Sequence, residues 1–154
     1  MKQETTEVII NAPVEKVWNV LTDFENYINW NTFIPFVIGE AKIGSPLTIC
    51  TYHKADKAAT MWYPTLIVCD PLRELRWKGR LPGLLNRFKY YGEHFFILEK
   101  LDANKTKLLH GEVCGGLWVR KQWDQISHLI RRDFTIMNEA LVQRCEKDRI
   151  KPYG

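Results

Sequence analysis

Two of the four histidines stand in β-like segments with a glutamate close by: Gly92-Glu93-His94-Phe95-Phe96 and Leu108-Leu109-His110-Gly111-Glu112. Alternate side chains of an extended segment share a face. His94, Phe96 and Leu98 therefore share one face, and Glu93 and Glu99 share the other. The two glutamates belong in water, which turns His94 inward. In the second segment Leu108, His110, Glu112 and Cys114 share a face, with Lys107, Leu109 and Val113 opposite. Both of these faces carry apolar and polar residues, so loop length decides between them. A three-residue loop, Ala103-Asn104-Lys105, pairs Asp102 with Thr106. It sets Leu98 opposite His110 and Phe96 opposite Glu112, and leaves His94 diagonal to Glu112, within reach of long side chains. A two-residue loop turns His110 and Glu112 to the outside.

Facing inward, His94, His110 and Glu112 form a polar patch in apolar surroundings. A buried carboxylate beside imidazole ionises as a pair with it or holds a neutral histidine in one tautomer. Such a patch can move a proton next to a carbonyl, orient a ligand's hydroxyl or carboxylate, or simply satisfy itself inside the core. These three readings stay open, and His94, His110 and Glu112 are the catalytic candidates. No GxGxxG or Walker-type loop and no GxSxG elbow occurs, so no cofactor is expected. His53, His94, His110 and His128 are scattered without metal-ligand spacing, and no metal site is expected. Cys50, Cys69, Cys114 and Cys145 lie far apart and read as reduced, packed thiols.

These residues need a scaffold. The 154 residues are 45% hydrophobic and 26% charged with a net charge of +4, which excludes disordered, collagen-like and disulfide-stapled classes and suits one domain spanning 1–154. Both charge signs are interspersed, so no nucleic-acid partner is expected. The start of the sequence shows no basic-then-apolar leader, and no run reaches a membrane span. A cytoplasmic protein without stable membrane insertion is the expectation, monomeric or homodimeric.

Residues 4–11 read as a strand rich in β-branched side chains. Val14, Val17, Trp18 and Leu21 form a helical stripe after Pro13. Asp23 starts a second short helix that closes at Trp30. Strands are then expected over 33–42, 47–54, 60–69, 74–80, 87–101 and 106–114. From 120 to 147 the period becomes helical, with Ile126, Ile130, Phe134, Met137 and Leu141 on one face of about seven turns. A sheet with one apolar face needs a cover, and this last helix supplies it.

Several runs carry a resemblance. Ile10-Asn11-Ala12-Pro13-Val14-Glu15-Lys16-Val17-Trp18, then Trp30, then Asp70-Pro71-Leu72-Arg73-Glu74-Leu75-Arg76-Trp77, the two histidine segments, and Arg132-Asp133-Phe134-Thr135-Ile136-Met137-Asn138-Glu139-Ala140-Leu141 together resemble the START-like (SRPBCC, polyketide cyclase/dehydrase-like) superfamily. The resemblance implies an α+β helix-grip fold: a curved antiparallel β-sheet wrapped around a long C-terminal α-helix, with two short helices after the first strand. It also implies an apolar cavity between sheet and helix that binds a small hydrophobic molecule such as a lipid, polyketide or aromatic compound. The protein is then a carrier or sensor, or alternatively a cyclase or dehydratase acting on a carbonyl-containing substrate. On that fold Trp62 and Trp77 stand near the cavity wall, and Trp30 and Trp118 near its mouth. Phe96, Phe134 and Met137 join His94, His110 and Glu112 as candidate lining. Leu81, Leu84 and Leu85 sit in a breaker-rich loop with nothing local to bury them, and are expected to gate the cavity, to pack against the last helix, or to touch a membrane or partner.

Overall fold

The structure is a computed structural model, and it describes residues 1–54, 57–84, 86 and 88–147. The strands are β1 (Lys2–Ile10), β2 (Phe36–Ile38), β3 (Thr48–His53), β4 (Ala58–Trp62), β5 (Thr65–Asp70), β6 (Glu74–Arg80), β7 (Tyr91–Asp102) and β8 (Lys105–Gly115). Helix α1 (Val14–Thr22) and a 3-10 helix (Phe24–Asn29) follow β1, and α2 (Leu117–Glu146) closes the fold. The order β1-β8-β7-β6-β5 makes a curved five-stranded antiparallel sheet, and β2-β3-β4 makes a second, three-stranded one. This is the α+β helix-grip architecture expected from the sequence.

Helix α1 buries the four residues of its stripe, Val14, Val17, Trp18 and Leu21. Helix α2 buries Phe134, Met137 and Leu141, each contributing about 1.5–3 kcal/mol of apolar burial. It packs on β1, β8 and α1. Polar contacts pin it there: Arg131 donates to the buried Glu4 at 2.8 Å, and Asn138 donates to Thr6 at 2.9 Å. The outer face of β6 is an ion-pair surface. Arg76 reaches Glu74 and Glu93, and Lys78 reaches Glu93 at 3.0 Å.

Three details depart from expectation. The strand expected over 33–42 shrinks to Phe36–Ile38, because Asn31 Oδ1 accepts from the backbone N–H groups of Phe33 and Ile34 and holds a turn there. The strand expected over 60–69 splits at Tyr63-Pro64 into β4 and β5, which belong to different sheets. Proline has no N–H for a ladder, and the chain crosses between sheets there. The β7–β8 turn encloses two residues, because Asp102 pairs with Lys105. Alone, that would send His110 and Glu112 outward. A bulge between Lys100 and Asp102 restores the parity, so Lys100 pairs with Thr106, Phe96 with His110, and His94 directly with Glu112.

Candidate functional site

A cavity of about 280 Å³ lies between the sheets and α2. Its walls are apolar: Phe33 and Ile34, Ile49 of β3, Trp62 of β4, Trp77 of β6, and Ile126, Ile130 and Phe134 of α2. Of the residues expected in the site, Trp62, Trp77, His94, Glu112, Trp118 and Phe134 line it. His110, Phe96 and Met137 are fully buried behind that wall. Trp30 does not stand at the mouth; it packs edge-on against Tyr27 at 5.0 Å, held by the core of its own helical pair. In the loop, Leu81 lines the cavity and Leu84 is 75% exposed, while Leu85 lies outside the described residues.

Strand pairing aligns the first polar group. His94 Nδ1 stands 3.6 Å from Glu112 Oε2, and Tyr90 donates its hydroxyl to Glu112 Oε1 at 2.6 Å. Burial, then the Glu112 charge, pushes the Tyr90 hydroxyl up, so it stays a donor. Trp77 stacks flat on His94, with ring centroids 4.8 Å apart. Behind His94, its Nε2 meets His110 Nε2 at 2.9 Å, and His110 Nδ1 meets Asn138 Oδ1 at 2.8 Å. Phe134 stacks on His110 at 3.9 Å. Burial, reinforced by His94, holds His110 well below the usual imidazole range and therefore neutral, against the opposing hydrogen bond to Asn138.

A second polar group comes from β3 and α2. His53 Nδ1 lies 2.6 Å from Asp133 Oδ2, and Arg132 Nε donates to Asp133 Oδ1 at 3.0 Å. Burial pushes the Asp133 carboxyl up, but the hydrogen bonds from His53 and Arg132 outweigh it and hold the carboxyl below its ordinary range. Both His53 and Asp133 line the cavity. Ring contacts Phe33–His53, Phe33–Phe134 and Phe134–His94 connect the two polar groups through aromatic surface.

Sequence reasoning passed over His53, Asp133, Tyr90 and Asn138. Signals existed for two of them. His53 alternates with Thr51 and Ile49 on β3, and Asp133 falls three residues after Ile130 on the helical stripe. Trp62 is held by its own donor, Nε1 to Thr51 Oγ1 at 2.9 Å. Trp118 sits half-open under Lys89, whose Nζ is 5.3 Å from the ring. Among the described residues no group of three or more His, Cys, Asp or Glu could hold a metal ion, and no helix is long and apolar enough to cross a membrane.

A family profile described as "Polyketide cyclase / dehydrase and lipid transport" matches residues 1–146. The chain belongs to this polyketide cyclase/dehydrase and lipid transport family. Solved relatives share its fold at low identity. A START superfamily protein from Mycobacterium smegmatis is 17% identical, with 94% of this chain and 97% of that chain covered and a TM-score of 0.77. The Zhui aromatase/cyclase from Streptomyces sp. R1128 is 16% identical, with 99% and 98% covered and a TM-score of 0.76. The di-domain aromatase/cyclase BexL from the BE-7585A biosynthetic pathway is 13% identical; the match covers 99% of this family member but 51% of BexL, with a TM-score of 0.68. No curated protein matches the chain.

Proposed function

We propose that residues 1–154 act as one START-like domain that binds a compact, largely aromatic molecule bearing oxygen functions in the cavity between sheet and α2. One observation carries this reading: an apolar cavity of about 280 Å³, walled by three tryptophans and two phenylalanines, whose few polar groups are already held by one another. Apolar ring surface gains about 25 cal/mol per Å² buried, and pre-paired polar groups demand little reorganisation from a ligand that meets them. The volume lies just below the roughly 300–1,000 Å³ typical of ligand pockets, which favours a compact ring system over a long chain.

A second reading, a cyclase or dehydratase acting on a carbonyl compound, is favoured by one further observation. Two carboxylates, Glu112 and Asp133, each beside an imidazole, line the same cavity. That is the equipment for giving and taking protons at a carbonyl. Similarity to proteins titled aromatase/cyclase agrees with it, although a shared fold does not carry an activity.

Native mass spectrometry of the purified protein, followed by denaturing extraction, tests the binding reading. A bound aromatic molecule is expected. A bare mass, together with tryptophan fluorescence indifferent to added hydroxyaryl ketones, would overturn it. Glu112→Gln separates the readings once a ligand is known. In an enzyme it loses roughly 10²–10⁴-fold in turnover while still binding; in a carrier there is no turnover to lose.

A further inference from the structure

A continuous polar path crosses the protein from β1 to the cavity, and its hydrogen-bond directions can be read one at a time. Asn138 Nδ2 donates to Thr6 Oγ1 at 2.9 Å, and the Thr6 hydroxyl donates onward to the His110 carbonyl at 3.3 Å. The amide oxygen of Asn138 is thereby left facing His110 Nδ1 at 2.8 Å. An amide oxygen only accepts, so His110 Nδ1 carries the hydrogen. His110 is fully buried and neutral, and a neutral imidazole has one N–H, so its Nε2 is a bare lone pair. That lone pair lies 2.9 Å from His94 Nε2, so His94 Nε2 is the donor. One ring nitrogen remains, His94 Nδ1, and it faces Glu112 Oε2 across 3.6 Å. The other Glu112 oxygen already accepts from Tyr90. His94 is 7% exposed. Two unprotonated acceptors facing each other across that distance would repel, and a proton held between them removes the repulsion.

We propose that the cavity wall stores one proton on the His94–Glu112 pair, as imidazolium with carboxylate or as imidazole with carboxylic acid, and that Asn138 is the positioning residue that places it there. The path sets the proton's address through tautomers: Thr6 orients Asn138, Asn138 orients His110, and His110 obliges His94 to turn its other nitrogen to Glu112. Glu112 lines the cavity, and in either form the stored proton lies between it and His94, so the carboxyl turns lone pairs outward and the group of a bound molecule that meets it is a donor, a phenol or enol hydroxyl. This last step rests on the ligand-binding reading above; the stored proton does not. Room for the carboxylate depends on Gly92, where a Cβ would collide with Glu112 Oε1.

The test uses the ligand-free full chain, labelled with 15N-histidine and 13C-glutamate, at neutral pH. Two-bond and three-bond proton–nitrogen correlations tell a protonated ring nitrogen from a bare one, and backbone connectivity assigns each ring. The expected pattern is His110 with hydrogen on Nδ1 alone and His94 with hydrogen on Nε2. The remaining proton then shows either on His94 Nδ1 or as an un-ionised Glu112 carboxyl. A bare His94 Nε2 with hydrogen on His110 Nε2 would mean the path runs the other way, and would overturn the assignment. So would a neutral His94 beside an ionised Glu112. Thr6→Val keeps the shape but removes the acceptor that orients Asn138; the pure Nδ1–H pattern of His110 is expected to be lost. Asn138→Asp, whose carboxylate can only accept, is expected to retain it. An unchanged pattern in Thr6→Val would overturn the step in which Thr6 orients Asn138, and a His110 lacking the Nδ1 hydrogen in Asn138→Asp would remove Asn138 from the role. All readouts are taken without ligand, so failure here leaves the binding reading standing, and a bare mass leaves the proton assignment standing.

Discussion

Protonating His110 should unfold the protein, and the pH window follows from where that ring sits. His110 is fully buried, stacked on Phe134 at 3.9 Å, and has His94 Nε2 2.9 Å from its own Nε2. Burial first, and the neighbouring imidazole second, hold it well below its ordinary 6.5. The unfolded chain takes up this proton near 6.5 and the folded chain does not, so below that value the unfolded state binds more protons. Stability attributable to His110 is therefore whole above about 6.5 and is lost as pH falls. Between about pH 6.5 and about pH 5.5 the loss is about 1 kcal/mol, steepening toward about 1.4 kcal/mol per further unit. With a urea slope of about 2 kcal/mol/M, that is a midpoint shift of about 0.5 M. Urea unfolding of wild type and of His110→Gln across this range is the assay. The glutamine amide oxygen can still accept from His94 Nε2, so the substitution removes the proton site at 110 while leaving an acceptor for His94, and the difference in pH dependence reports the 110 position. Asp133 does not interfere. Its carboxyl is held below 3.8, so its contribution is present above that value and lost only in stronger acid. Parallel pH profiles for the two proteins would refute the claim that His110 is held neutral by burial.

Further outcomes follow from the same geometry. Tyr90→Phe removes the donor to Glu112 and should cost about 1–3 kcal/mol in thermal or urea unfolding; no loss would mean that water replaces the hydroxyl. Trp77→Ala removes both cavity wall and the ring stacked on His94, and should cost about 3–5 kcal/mol in the same assay. Gly92→Ala should displace the Glu112 carboxylate, seen as a changed Glu112 side-chain resonance with the sheet retained; an unmoved resonance would count against the close approach. Burial raises Cys114 to about 11 and Cys145 to about 12, so iodoacetamide mapped by mass spectrometry at neutral pH should label neither until the protein unfolds.

Local periodicity carried much of the architecture. The α1 stripe, the bounds of β6 and the α2 face were all legible, because each depends on neighbours a few residues away. Strand alternation also placed His94 on an inward face without tertiary information. Long-range pairs were not legible. His53 and Asp133 meet across 80 residues of sequence, and Tyr90, expected inside a strand over 87–101, stands just before β7 and reaches Glu112 from there. The aromatic residues mark the limit of composition. Trp62, Trp77 and Trp118 reach the cavity, while Trp30, of the same type, is taken up by Tyr27. Residue type alone could not distinguish them. Similarly, β-propensity ran straight through Tyr63-Pro64, because it does not record that the chain changes sheets there.

The bulge beside Leu101 gives a residue that touches nothing in the cavity control over what the cavity contains. A ladder counts in twos, so adding or deleting one residue at this hairpin exchanges every side chain of β8 between its two faces. His110 and Glu112 would move to the face now held by Leu109 and Val113, and those aliphatics would take their place. A gain or loss of two residues would keep the faces but slide Glu112 away from His94. Length variation at this exposed turn, ordinarily the most forgiving kind of sequence change, is therefore a rewriting of the interior.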